Sequence, residues 1–166
     1  MPITHTYLGL ILTTNSWSYN QGIVLGALVE LHRAATSPCL CVKDKNSHNN
    51  STSNYLESAT RIAKAAIKEL SDPDSHVIRE SCDPDDCDGN STQFKGIFIR
   101  NLRILHSVAP DQEFAEVIRA NADSVWENDR SEDKNQLGES WEGPVKQVDA
   151  STHSSAMDAL VAAIGV

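Results

Sequence analysis

The chain has 166 residues, 40% of them hydrophobic, and a formal net charge of −9. That length and composition fit one globular domain or part of one and exclude a disordered chain. The acidic balance, with no basic stripe, excludes nucleic acid as a partner, and no apolar run reaches the ~18 residues needed to cross a bilayer.

Met1 to Ser16 holds a brief apolar stretch, Tyr7 to Leu12, without a basic leader or a small-residue cleavage site, so it is a poor signal peptide. The first helix is predicted over about Gln21 to Ala35, with Ile23, Val24, Ala27, Leu28 and Leu31 on one apolar face. Thr36 to Ser53 follows, long for a hairpin loop and without periodicity. Its Cys39-x-Cys41 is too tight for a zinc ribbon and has no second ligand pair. Residues 37–53 read as a loop insertion, either a mobile surface loop or a translated intron with no native role.

A second helix is expected from about Asn54 to Leu70 through Leu56, Ala59, Ala63, Ala66, Ile67 and Leu70, stopped by Asp72-Pro73-Asp74. Val77-Ile78 is the best strand signal, and it is short. Cys82 and Cys87 then bracket a turn-rich acidic loop, a spacing suited to a small-ring disulfide of an oxidising compartment. Asn49, Asn50 and Asn90 each begin a glycosylation sequon, and together with the cysteines they point to secretion. A third helix is predicted over about Gln93 to Ser107 (Phe94, Ile97, Phe98, Leu102, Leu105) and a fourth over about Asp111 to Glu127. The fourth carries Phe114, Val117, Ile118, Ala122, Val125 and Trp126, and both Phe98 and Trp126 read as core. The last, about Ser151 to Ile164, has Ala156, Met157, Leu160, Val161 and Ile164 as its periodic apolar residues.

The expected fold is therefore all-α. Helices one and three open on polar, glycine-bearing turns, and helices two and four are ordinary amphipathic elements. That alternation fits stacked hairpins of inner and outer helices.

Trp17-Ser18-Tyr19-Asn20-Gln21-Gly22 resembles the opening of an inner helix in glycoside hydrolase family 76, the α-1,6-mannanases of fungi and bacteria. The likeness continues through Tyr55-Leu56, Glu80-Ser81-Cys82 with Cys87-Asp88, and Gln93-Phe94-Lys95-Gly96. It then takes in Asn121-Ala122-Asp123-Ser124-Val125-Trp126, Trp141-Glu142-Gly143-Pro144 and Asp158-Ala159-Leu160, and so covers about 12–163 apart from the insertion. The resemblance implies an (α/α)6 barrel of six inner and six outer helices, with this chain as a partial barrel of about five helices. It also implies a retaining, endo-acting enzyme of secreted or cell-wall location that cuts α-1,6-linked mannan.

Retaining cleavage needs two carboxyl groups about 5 to 5.5 Å apart. In the family these are an adjacent Asp-Asp pair upstream of the tyrosine-asparagine-glutamine segment, and Met1 to Ser16 contains neither Asp nor Glu. No catalytic residue is therefore assigned. The one Asp-Asp doublet, Asp85-Asp86, is read as a solvated acidic turn, and a calcium loop counted from Asp83 fails at its sixth and twelfth positions, Asp88 and Phe94.

Trp17, Tyr19 and Trp141 are either aromatic faces for sugar rings or packing anchors. Asn20 and Gln21 either bind sugar hydroxyls or cap the first helix. Lys95 either faces the cleft or pairs with an acidic neighbour. The six histidines (His5, His32, His48, His76, His106, His153) form no spaced cluster, and neither a metal nor another cofactor is expected. The readings that compete with a mannan hydrolase are a catalytically inactive carbohydrate-binding remnant and a gene-model fragment. An open barrel edge is expected to promote self-association.

Overall fold

The structure is a computed structural model that describes residues 17–37, 51–83 and 87–166, with 51–53 described by backbone alone. Among the described residues there are five α-helices: α1 (Ser18–Thr36), α2 (Ser51–Leu70), α3 (Phe94–Val108), α4 (Gln112–Asn128) and α5 (Ala150–Ala163). Helix α3 is preceded by a single 3-10 turn, Ser91–Gln93. Helices α1, α3 and α5 lie side by side as an inner row, while α2 packs outside α1 and α4 packs outside α5 and α3. These are the stacked hairpins of a partial α/α barrel. No described helix is long and apolar enough to cross a membrane.

Local chemistry sets most of the boundaries. Asp111 caps α4 by accepting the Glu113 N–H at 3.0 Å. Asp149 and Thr152 form a reciprocal capping box at the start of α5. Helix α2 begins at Ser51, so it takes up the last three residues of the stretch expected to be an insertion. The remainder of that stretch, with Cys39, Cys41, Asn49 and Asn50, lies outside the described residues, as do Asp85 and Asp86.

The buried faces of the two terminal inner helices differ from expectation. Helix α1 buries Ser18, Gln21, Gly22, Leu25 and Val29, while Ile23 and Leu31 are exposed. Helix α5 buries Thr152, Ser155, Ala156, Ala159 and Ala162, while Met157, Val161 and Ile164 are exposed. The inner helices approach through their small residues. A Cβ on Gly22 would stand 2.8 Å from the Phe98 Cα, and one on Gly96 would stand 2.7 Å from the Ser155 Cα. Such backbone proximity excludes larger residues and turns the bulky ones away.

Trp126 is likewise not core. It is 47% exposed and lies 4.2 Å beneath the Arg130 guanidinium, which covers the ring. Phe98 is fully buried, together with Leu25, Ile99, Leu102, Leu105, Phe114 and Ile118.

Each outer helix ends in the same device. Ser71 pairs with Ile78 in an isolated antiparallel bridge after α2, and Arg130 pairs with Leu137 after α4. Val77-Ile78 is thus one bridge rather than a strand. His76 and Asn135 take the positive φ that turns each loop (59° and 54°). Bridge ends and turn residues all recur 59 residues later, and so does Glu80, as Glu139. Asn121 of α4 anchors the first turn, accepting the Ile78 N–H at 2.9 Å and donating to the His76 carbonyl at 3.1 Å. Both loops thereby reach the end of the inner row at which α1, α3 and α5 begin.

Candidate functional site at the inner-helix N-termini

The starts of the inner helices are neighbours. Trp17 and Tyr19 both contact the Phe94 ring, the first edge-on at 5.4 Å and the second tilted at 4.2 Å. Both are half-buried, so each leaves part of an aromatic surface open. Asn20 beside them is exposed and Gln21 is buried. The cap of α1 is Trp17, which makes no side-chain cap hydrogen bond, so neither Asn20 nor Gln21 is the capping residue. Thr92 and Ser151 share a 2.7 Å hydroxyl contact that ties α3 to α5 at the same level.

On the other side of the first turn of α3 lies Lys95. Only 3% of it is exposed; its Nζ donates to Asp83 Oδ2 at 2.8 Å and to the Glu139 carbonyl at 2.7 Å. It also stands 5.0 Å over the Trp141 ring. Of the two alternatives for Lys95, the acidic neighbour is present, and Lys95 also borders a pocket of about 280 Å³ between the two loops. Arg79, Asp83, Ser140, Trp141 and Glu142 line that pocket with it. Arg79 joins the loops at the mouth, pairing with Glu142 of the second loop and with Asp72 of the first at 2.9 Å. Trp141 is 1% exposed and its indole N–H has no protein partner. It is a packed wall of the pocket. The turn after it needs Gly143, whose φ is 73° and whose added Cβ would stand 2.4 Å from the Asn128 carbonyl oxygen.

Cys82 and Cys87 are joined in a disulfide with their Cα atoms 4.9 Å apart. The ring presents Asp83, which accepts the Glu80 N–H at 2.9 Å as well as the Lys95 ammonium. Asn90, the described sequon asparagine, is exposed in the turn before α3.

Among the described residues, Asp83 contacts Lys95 and three further carboxylates lie within reach of its charge; sequence reasoning assigned a site role to none of them. The three are Glu80, Asp129 and Glu139, whose charged forms Lys95 favours. Burial pushes the Glu80 carboxyl up to about 7, although hydrogen bonds from Ser18 pull it down. Burial also pushes Asp129 up to about 7, against the pull of Lys95 and of the Gly138 N–H, and the residue is fully buried. Glu139 is raised by burial and then by Asp83. Carboxyls that titrate near neutrality are the kind used for acid catalysis. Here, though, Glu80 is bound to Ser18 and Asp129 is enclosed by Gly138, whose added Cβ would stand 2.4 Å from Asp129 Oδ1. The recurrence of Glu80 as Glu139 was the available sequence signal. Among the described residues no group of three or more His, Cys, Asp or Glu is arranged to hold a metal.

The family model for glycosyl hydrolase family 76 matches residues 9–165. No curated protein matches this chain in sequence. Among solved structures, the Lin0763 protein of Listeria innocua is similar at a TM-score of 0.72 and 24% identity, over 95% of this chain and 40% of that one. The GH76A α-1,6-mannanase of Salegentibacter sp. HEL1_6 is similar at a TM-score of 0.69 and 24% identity, over 97% of this chain and 44% of that one. An inactive variant of that mannanase, two of its aspartates replaced by asparagine, is similar at a TM-score of 0.69 and 24% identity, over 96% of this chain and 44% of that one, and was solved with α-1,6-mannotriose. This chain thus spans less than half the length of each.

Proposed function

This chain belongs to glycosyl hydrolase family 76, and on that premise we propose that it is part of a retaining endo-α-1,6-mannanase acting on the mannan of cell wall or glycoprotein. Its share of the work is substrate binding. Trp17 and Tyr19 stack against sugar rings, Asn20 bonds sugar hydroxyls with buried Gln21 packed behind it, and Lys95 and Trp141 shape the neighbouring pocket. The observation that carries this reading is the half-open aromatic surface formed on Phe94 at the inner-helix ends. Support comes from the solved mannanase, whose inactive variant holds α-1,6-mannotriose. The catalytic carboxylate pair belongs to a part of the enzyme outside this chain.

A second reading for the chain taken alone, carbohydrate binding without hydrolysis, is favoured by one observation: among the described residues, the two carboxyls that burial raises to about 7, Glu80 and Asp129, are enclosed. The exposed sequon at Asn90 and the disulfide support a secreted or cell-surface location. Exposed Ile23 and Leu31 on α1 and Met157, Val161 and Ile164 on α5 support self-association through the ends of the helical row.

The test is to titrate the purified chain with α-1,6-mannotriose by calorimetry and to incubate it with α-1,6-mannan, following reducing ends. Binding without cleavage is expected. Cleavage would refute the placement of the catalytic pair outside the chain, and absence of binding would refute the sugar surface.

A further inference from the structure

We propose that Glu80 is a positioning residue for the sugar-facing end of α1, holding Ser18 so that Trp17, Tyr19 and Asn20 stand where a ligand meets them. This rests on the reading that those three residues face sugar.

A helix start leaves its first N–H groups without intrahelical partners, and a side chain at the cap position ordinarily accepts one of them. In α1 the cap position is occupied by Trp17, an indole that accepts nothing. The acceptor comes instead from 62 residues away in sequence. The two carboxylate oxygens of Glu80 lie 3.2 and 3.3 Å from the Ser18 N–H, and the Ser18 hydroxyl donates to the same group. A carboxylate is well placed there, because a helix N-terminus carries partial positive charge. Supplying the cap remotely leaves the cap position free for an aromatic ring, which Trp17 sets edge-on against Phe94. A serine or aspartate at that position would satisfy the backbone and forfeit the ring.

Glu80 is itself held. It is 5% exposed, and its N–H donates to Asp83, which sits in the ring closed by Cys82 and Cys87 and pairs with Lys95 of α3. The contacts therefore run from α3 through Lys95, Asp83 and Glu80 to Ser18 of α1, and the disulfide loop braces two inner-helix ends. Its counterpart in the second loop does something else. Glu139 offers its backbone carbonyl to Lys95, and its Oε2 has no protein partner. Buried glutamate at this repeat position thus does not by itself make the latch; Ser18 does.

The test uses the whole chain with Glu80→Gln, Ser18→Ala and the double variant, read by amide hydrogen exchange and by α-1,6-mannotriose titration. At pH 8, where the Glu80 carboxyl is ionised, Glu80→Gln is expected to speed exchange across residues 17–22 about tenfold, the size of one hydrogen bond to a charged group, while the α3 and α4 core amides stay as slow as before. Mannotriose affinity should fall by a similar factor, and the double variant should bind no more weakly than the worse single one. Unchanged exchange over 17–22 overturns the proposal, and so does full affinity after local protection is lost, or additive losses in the double variant. If the unsubstituted chain does not bind mannotriose, the carbohydrate reading falls, and exchange alone decides whether Glu80 holds α1.

Discussion

Replacing Lys95 with methionine removes a buried charge while keeping nearly the same length and apolar volume. Its ammonium is the partner of Asp83 at 2.8 Å and the nearby cation that favours ionised Glu80, Asp129 and Glu139. Breaking a buried pair from one side costs about 3–5 kcal/mol, because the abandoned charge stays buried. A carboxyl can escape that cost by taking a proton. With a reference Asp pKa of about 3.9, neutralisation costs about 1.5 kcal/mol at pH 5 and about 5.6 kcal/mol at pH 8. The loss in Lys95→Met should therefore grow from about 1–2 kcal/mol at pH 5 to about 3–5 kcal/mol at pH 8. Urea unfolding followed by tryptophan fluorescence at both pH values measures it. Adding Asp83→Asn should recover part of the loss at pH 8, since removing both partners leaves no orphan charge. A loss below about 1 kcal/mol at pH 8 would refute the picture of a desolvated lysine hub, as would an equal loss at both pH values.

Gly96→Ala should destabilise by about 1–3 kcal/mol in a thermal melt despite the ~1 kcal/mol that alanine gains in a helix, because the new methyl meets backbone of Ser155 that cannot rotate away; an unchanged melting point would refute the close approach of α3 and α5. Glu80 and Asp129 have folded pKa values raised to about 7, so the folded state holds more protons than the unfolded one and stability should fall as pH rises from about 4 to about 7. Asp149 is held down to about 2, chiefly by the Thr152 N–H, so its contribution is lost as pH falls from about 4 toward 2. A pH series of melts should thus peak near pH 4–5, and a maximum above pH 7 would contradict these signs. If the exposed apolar faces of α1 and α5 drive association, Ile23→Lys with Val161→Lys should shift sedimentation toward monomer, whereas an unchanged distribution would reject those faces as the contact.

Helix positions were legible because their punctuation is local. Pro73 after α2 and Asp111 before α4 stop and start helices by backbone chemistry that needs no tertiary partner. The faces of α1 and α5 were misread for a physical reason. Both are apolar on nearly every side, so periodicity selects the bulky residues, Ile23 and Leu31 or Met157 and Val161. Packing instead selects the small ones, Gly22 against Phe98 and Ala156 and Ala159 against the core. Trp126 was misplaced because hydropathy does not foresee a cation above the ring. The aromatic and amide residues of α1 stood out in the sequence, whereas the carboxylates around Lys95 did not, since acidic residues ordinarily mark solvated surface. Their burial depends on Lys95 and Ser18, far away in the chain.

The division of labour between helices and loops bears on how this chain can contribute to catalysis. The apolar core runs on into the two loops through Val77, Ile78, Leu137 and Trp141, and the same loops place charged groups in buried positions. A glycosidase acid must present its carboxyl to a substrate oxygen. Glu80 presents its carboxyl to Ser18, and Asp129 lies behind Gly138. The raised pKa values therefore mark carboxyls sealed in by the architecture rather than poised at an opening. On the proposed reading, these acids hold the helix ends in register, and the open groups beside them, Trp17, Tyr19 and Asn20, meet the sugar.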